Sequence, residues 1–493
     1  MQSMDRRRFL ALTAATATLP SLKLFAQATP TTATLKLHPD QPGARVPKNF
    51  IGLSYETQQL SDPTFFSPAN TGLIAQFRAL TPNGVLRLGG NTSDYGFWKP
   101  TPTSLAPPRA RRESKLGDPN PNLSYAIEPI AIHNLRAFLD ATGWTCLYGI
   151  NLGTNVPARA ADEALFVHKT LGPKLEYFQI GNEADRFGTT IRDPKTWSAS
   201  VFLDEWLTFA HAILARVPAA RFGMPDIASN SLWFSTIATV LADNPIRSHI
   251  ACISHHYYIG GPPSNPDMTI SRILRPNPVV TRDAALVTAA ATQLHTAWRM
   301  TEGNTCYRGG KPGVSDVFAA ALWSADYLLQ LASLGYAGVN LHGGDGQMVA
   351  NSLGGTLPGE ALMPDPTAPH PRPFYTPIAH IGDQYLLEPV AYGMLFAGHF
   401  AGATMIALDF NPGPVNATAY AAKLKDGRQI LAIINKDTQP FFWDGLTGFV
   451  PSEQLTASSL GAREVNLSDH GKADQEMVPA SSAVIYRYRP IIE

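Results

Sequence analysis

Cysteine, net charge and long apolar runs are all scarce in this chain, and each scarcity removes a class of protein. Only three cysteines occur among 493 residues: Cys146, Cys252 and Cys306. Their odd number and wide spacing exclude a dense disulfide framework and the paired-cysteine pattern of a zinc site. Each reads as a buried thiol. Lys plus Arg and Asp plus Glu both number 39, so the formal net charge is zero. No basic field is present to hold a nucleic acid, and no run of like charge marks a tail. Beyond the N-terminus no stretch reaches about 18 uninterrupted apolar residues, so neither a membrane span nor an anchor is expected. The chain has no H-E-x-x-H helix, and Gly89-Gly90-Asn91 lacks the G-x-G-x-x-G spacing of a phosphate-binding turn. Neither a metal nor an organic cofactor is expected.

Aromatic residues are plentiful. Most belong to a core, but a neutral chain rich in Tyr, Trp and Phe also suits a neutral or lightly charged ligand held by stacking and hydrogen bonds. The N-terminus reads as an export signal. Arg6 and Arg7, followed by Arg8, Phe9 and Leu10, fit the twin-arginine pattern, and Ala26-Gln27-Ala28 fits a cleavage site. Residues 1–28 are therefore expected to direct export, leaving a mature protein that is periplasmic or extracellular.

From residue 50 to about 400, short apolar runs alternate with helical patterns. The runs cover 50–56, 85–90, 145–152, 176–183, 221–228, 249–258, 299–304 and 337–344. Helix candidates follow, such as 202–217 and 315–335. For the latter, Ser315 and Asp316 are the expected N-cap and Gly335 the C-terminal stop. Eight such units predict an α/β fold, a (β/α)8 barrel over 50–399. Past 400 the pattern changes. Residues 419–437 read as a hairpin around Lys425-Asp426-Gly427, and 483–489 as an alternating strand. An antiparallel β-sandwich over 400–493 is expected, with 29–49 contributing a strand at 34–38. Two Pro-rich stretches, 100–112 and 354–373, read as long loops over the barrel mouth.

Polar residues gather at the carboxyl ends of the strand runs, where barrel enzymes build their sites. Two of them are carboxylates on the fourth and seventh runs, Glu183 and Glu302. A carboxylic acid facing a carboxylate is the minimal apparatus for cleaving a glycosidic bond. Glu183 is expected to protonate the leaving oxygen and then activate water, with Asn182 beside it to bind a sugar hydroxyl. Glu302, the candidate nucleophile, must stay ionised and so needs donors around it. Tyr257 or Tyr258 offers a hydroxyl, and Arg87, which shares a strand face with Gly89 and Asn91, offers a full charge. Consecutive residues on a strand face opposite ways, so His255 pairs with Tyr257 and His256 with Tyr258. The expectation is that His255 and Tyr257 face the cleft.

The stretches 52–56, 85–98, 180–185, 254–261 and 301–328 resemble glycoside hydrolase family 79, the family of heparanase and bacterial β-glucuronidases. The resemblance implies a barrel with a β-sandwich, retention of anomeric configuration, Glu183 as acid/base and Glu302 as nucleophile. It also implies a carboxylate-binding loop after the nucleophile, with the Tyr307 hydroxyl and backbone N–H groups from Gly309 onward as donors. Arg308 stands where a heparanase-like loop carries glycine. It either reinforces the anion site, reaches a substituent or points to solvent, and solvent is the expectation. Tyr375 resembles a further carboxylate-facing tyrosine, and Glu56 a sugar-hydroxyl contact.

Together these readings predict an exported, monomeric, retaining exo-β-glucuronidase. Its substrate would end in β-linked glucuronic acid or the 4-O-methyl form. The rivals are an endo-acting enzyme on sulfated chains, for which Arg109, Arg111 and Arg112 are the scattered basic candidates, a glycosidase for a neutral sugar, and a non-catalytic glycan-binding protein.

Overall fold

The computed structural model of the protein describes residues 32–107, 123–360, 373–444, 446–470 and 476–489. The export segment, Arg109, Arg111 and Arg112 lie outside the described residues. So do the end of the first Pro-rich stretch and most of the second.

Eight parallel strands close into a barrel, as the alternation of runs predicts. They are Ile51–Glu56, Val85–Gly89, Thr145–Ile150, Leu175–Ile180, Phe222–Ile227, Ile250–Gly260, Ala297–Cys306 and Val339–His342. Helices between them cover the outside. Asn70, Ser198 and Asn277 begin three of these by accepting a backbone N–H in the first turn, and Gly143 closes another at φ 82°. The barrel interior changes character along its axis. Val85, Leu147, Tyr177 and Cys252 fill a layer nearer the amino ends of their strands. Toward the carboxyl ends the inward positions are polar: Arg87, Gln179, Asp226, His256 and Glu302, all buried.

Of the other strands, two pairs, Gly96–Trp98 with Tyr125–Ile127 and Ile378–Ile381 with Gln384–Leu387, stand apart, and nine form one mostly antiparallel sheet. Its central strands are Ser482–Tyr488, Gln429–Asn435, Ala417–Lys423 and Thr404–Asn411, and the long strand Thr32–Arg45 pairs with the last of these. Side-chain alternation divides this sheet cleanly. Ile430, Ala432, Ile434, Ala483 and Ile485 join the barrel's core, whereas Leu431, Ile433, Val484, Tyr486 and Trp443 form a core of their own. Each fully buried Ile stabilises the contact by roughly 2 kcal/mol.

Helix Phe318–Ser333 carries much of the junction. It does not begin at Ser315 and Asp316 as expected. Ser315 is engaged by Lys311 N–H and Thr305, and Asp316 by Gly313 N–H and Arg463. The free N–H groups of Phe318 and Ala319 donate instead to the carbonyls of Ala462 (2.7 Å) and Leu460 (3.0 Å) in the sheet domain. Gly335, at φ 84°, follows the end of the helix, as the sequence suggests. Lower on the same helix Asp326 accepts from Lys436 (2.5 Å), Thr418 (2.6 Å) and Tyr420 (2.7 Å). Among the described residues no helix is long and apolar enough to cross a membrane.

Candidate active site

The inward polar groups converge on one side chain, Arg87. Its strand points it into the barrel, where it is 1% exposed. The guanidinium donates to Glu302 Oε2 (2.6 Å), Asn182 Oδ1 (2.7 Å), Ser54 Oγ (3.0 Å) and Gln179 Oε1 (3.2 Å), and forms a very short ion pair with Asp226. Burial opposes the charge, but Asp226 and Glu302 outweigh it and hold the pKa above the ordinary arginine value. Burial would raise the Asp226 pKa, but Arg87, His256 and the Thr301 hydroxyl outweigh it and hold Asp226 well below the usual carboxylate range.

Glu302 reaches this position through an irregularity. On the seventh strand Arg299 and Thr301 face inward, so unbroken alternation would turn Glu302 toward the helices. Pairing with the sixth strand slips between Met300 and Glu302: Met300 stands opposite His255 and Glu302 opposite His256. Thr301 is the extra residue, and the bulge brings Glu302 back to the interior. There Glu302 Oε1 accepts from Tyr258 (2.8 Å), and His342 Nδ1 lies 3.7 Å from Oε2. Burial alone would raise its pKa. His342, His256, Arg87 and the Tyr258 hydroxyl more than offset this and bring it to about 2.

Glu183 stands just past the fourth strand in the left-handed conformation (φ 48°), with its N–H donated to Asp226 O (2.9 Å). Its carboxyl accepts from His256 Nδ1 at 2.9 Å, while His256 Nε2 lies 3.2 Å from Asp226. Burial raises the Glu183 pKa, the His256 contact lowers it, and Glu302 raises it again; the net shift is upward. His256 is driven up to about 10, because its carboxylate neighbours outweigh its burial. It is therefore an imidazolium at neutral pH.

Oxygens of Glu183 and Glu302 and a nitrogen of His256 all lie within 4.8 Å of one another. By donor type such a triad suits a metal ion. Here the carboxylates already face two protein cations, Arg87 and His256, which oppose a third positive charge.

The structure places the remaining expected residues as follows. Asn182 is buried, held by Arg87 and by donation of its N–H to Asp94 (3.1 Å), and its amide reaches exposed Asn91 at 3.4 Å. Glu56 is buried with Oε2 accepting from Thr92 N–H (2.9 Å) and Oγ1 (2.7 Å), and Oε1 lies 3.5 Å from His342. Tyr375 is buried, its ring 5.9 Å from that of His342 and 6.3 Å from that of Tyr258. Tyr307 sits at the rim, 40% exposed, edge-on to Tyr258.

Two expectations are corrected. His255 and Tyr257 do not face the cleft. His255 bonds the Tyr336 hydroxyl (2.9 Å), and Tyr257 bonds Asn277 and stacks on Tyr327, both against the outer helices. His256 and Tyr258 take the inner face. Arg308 does not point to solvent. It donates to Glu360 (2.8 Å), Leu353 O (2.8 Å) and Gly355 O (2.6 Å), tying the loop after the eighth strand to the loop after the seventh. Arg308, Gly309 and Gly310 all have positive φ. A Cβ at Gly310 would lie 2.7 Å from Tyr375 N, so only glycine fits there. The Gly310 amide donates to Cys306 O (3.1 Å), and among the described residues only the Gly309 amide of this pair has no protein acceptor.

Asp226, Gln179, Ser54 and Asp94 belong to the site and were not singled out from sequence. A polar residue near the end of an apolar run, as in 221–228, is the signal for Asp226.

No family model matches the chain. It is 27% identical over 338 residues to a β-glucuronidase from Aspergillus niger, covering 62% of this chain, and 28% identical over 322 residues to one from Neurospora crassa, covering 58%. It spans 60% and 54% of the lengths of those relatives. A crystal structure of a 4-O-α-L-rhamnosyl-β-D-glucuronidase from Fusarium oxysporum superimposes with a TM-score of 0.68, 17% identity and coverage of 92% of this chain and 99% of that one. By sequence the chain is similar to β-glucuronidases over part of its length, and by fold it is a (β/α)8 barrel carrying a mostly antiparallel sheet domain, as in the Fusarium enzyme.

Proposed function

We propose that the protein is a retaining exo-β-glucuronidase that releases terminal glucuronic acid, or its 4-O-methyl form, from a glycoside or glycan. The observation that carries the reading is the carboxyl pair. Their oxygens approach within 4.8 Å, and their surroundings drive their pKa values in opposite directions. Retaining glycosidases hold the two groups about 5–5.5 Å apart, whereas inverting ones leave room for water at about 6.5–9.5 Å. Glu302, ionised and aimed by Arg87 and Tyr258, attacks the anomeric carbon. Glu183, kept protonated, gives its proton to the departing oxygen. The glycosyl ester to Glu302 is then opened by water as Glu183 takes the water's proton back. Both steps use carboxyl chemistry alone.

The sugar carboxylate falls to neutral donors near Glu302, because Arg308 is engaged by Glu360. The Gly309 amide and the hydroxyls of Tyr307 and Tyr375 are the donors we assign to it. We also propose that residues 1–28 direct export by the twin-arginine route, that 50–399 is the catalytic domain, and that the mature protein acts as a monomer.

The test is release of 4-nitrophenol from its β-D-glucuronide, β-D-glucoside and β-D-xyloside, with the anomer of the first-formed sugar followed by NMR. Glucuronide preference with β-glucuronic acid as first product is expected. A preference for an uncharged sugar would overturn the substrate, and an α first product would overturn the retaining mechanism.

A further inference from the structure

The segment after Glu183 makes one side of the cleft that the reading above leaves unassigned. Ala184–Arg186 is a single 3-10 turn, closed by the Arg186 N–H donating to Glu183 O at 2.8 Å. In a 3-10 turn side chains three apart lie on the same face. Arg186 therefore rises beside the carboxyl of Glu183. The two share the wall of a small depression, about 40 Å³, whose other walls include Tyr95, Phe187 and Ile191.

The Arg186 guanidinium is exposed and forms no ion pair among the described residues. Its nearest acidic neighbour in sequence is already engaged: Asp185 accepts from the N–H groups of Ala228 (2.8 Å), Ser229 (3.1 Å) and Asn230 (3.0 Å). Across the mouth lies Tyr307. Burial raises the pKa of that phenol, and Arg186 is one of the cations that pull it back, so the guanidinium lies within electrostatic reach of the rim tyrosine.

We propose that Arg186, with half-buried Ile191 beside it, forms a leaving-group subsite that selects aglycones bearing an acidic substituent. The proposal rests on Glu183 being the acid that protonates the departing oxygen, since that places the aglycone on Glu183's side of the sugar. The ring of the departing unit passes over Ile191 while a carboxylate or sulfate at its far edge meets the guanidinium. The natural substrate is then a glucuronide whose next unit is itself acidic.

The experiment compares 4-carboxyphenyl and 4-carbamoylphenyl β-D-glucuronides, which match in shape and differ in charge. The readout is the ratio of their kcat/KM values in the wild type, Arg186→Gln and Arg186→Glu. The expected result is a ratio that falls at least about fivefold in the glutamine variant and further in the glutamate variant. An unchanged ratio, whether or not both substrates slow, overturns the proposal. So does a parallel loss on both glucuronides that spares the matching glucosides, because Arg186 would then be reading the sugar. If the wild type cleaves no glucuronide, the sugar assignment has failed, and the same pair of aglycones on the glycoside it cleaves fastest gives the ratio. Arg186 is exposed, so folding is not at stake, and thermal melting of the variants checks this.

Discussion

Among the described residues two arginines are buried in the barrel, and their surroundings differ completely. Arg299 lies near the amino end of the seventh strand and donates to Asn340 Oδ1 (2.6 Å) and to the carbonyls of Ala337 and Asn49. All of these acceptors are neutral, and burial lowers its pKa. Arg87 meets two carboxylates, and its pKa is raised. One closes the bottom of the barrel by satisfying carbonyls. The other organises anions at the carboxyl end, where barrel enzymes build their sites. Burial of a charge is thus not by itself a mark of function; the charge state of the partners is.

Several variants would break or sharpen this contrast. The largest effect is expected from removing an anion that Arg87 holds: Glu302→Ala should lower kcat/KM on the nitrophenyl glucuronide by roughly 10⁴-fold or more. Glu183→Gln should cost about 10²–10⁴-fold on alkyl glucuronides, whose leaving groups need a proton, and far less on the nitrophenyl substrate. Steady-state rates on the two substrates separate acid catalysis from loss of fold. Arg87→Met should lower turnover about 10²-fold and also destabilise by roughly 3 kcal/mol, since it strands Asp226 and Glu302 in the interior. Arg299→Met should cost a similar roughly 3 kcal/mol by orphaning its acceptors, with kcat/KM changed less than about twofold. Urea unfolding and initial rates on both variants test the division between the two ends. If Arg299→Met proved as inactive as Arg87→Met while folded, the division would be wrong.

The smallest effect concerns pH. The His256 pKa is raised in the folded protein, so its stabilisation is fully present below the unfolded value of about 6.5 and is lost as pH rises through about 10. Unfolding free energy measured from pH 6.5 to 10 should therefore fall less steeply in His256→Gln than in the wild type. Equal slopes would refute the imidazolium.

How much of this was legible in the sequence depends on the kind of information required. The eight strand runs and the change of character past residue 400 are local patterns, and both appear in the structure. The proximity of Arg87 to Glu302 follows from barrel closure once the strands are counted. The facing of the sixth strand is different, because alternation fixes which residues share a face and not which face is inside. A usable signal was present. Ile253 and Ile259 accompany His255 and Tyr257, while small Cys252 and Ser254 accompany His256 and Tyr258. An apolar face suits the helical layer, and small residues suit the crowded interior. The engagement of Arg308 was not legible, since Glu360 lies 52 residues away on a different loop. Nor was the N-terminus of helix Phe318–Ser333, whose acceptors come from the other domain.

The bulge at Thr301 makes the site a matter of parity. Up to that residue the odd-numbered side chains of the seventh strand look inward; after it Glu302 and Asn304 do, the latter donating to His342 O and Tyr375 O at 2.9 Å each. Flattening the bulge with Thr301 kept would turn Glu302 out toward the helices and Gly303 in toward Arg87, whereas deletion of Thr301 would restore unbroken pairing with Glu302 still opposite His256 and remove only the hydroxyl that donates to Asp226. The inward position of Glu302 is held by the bulge as much as by its identity. Insertion of one residue between Thr301 and Glu302 is therefore expected to lower turnover more than most substitutions in the strand.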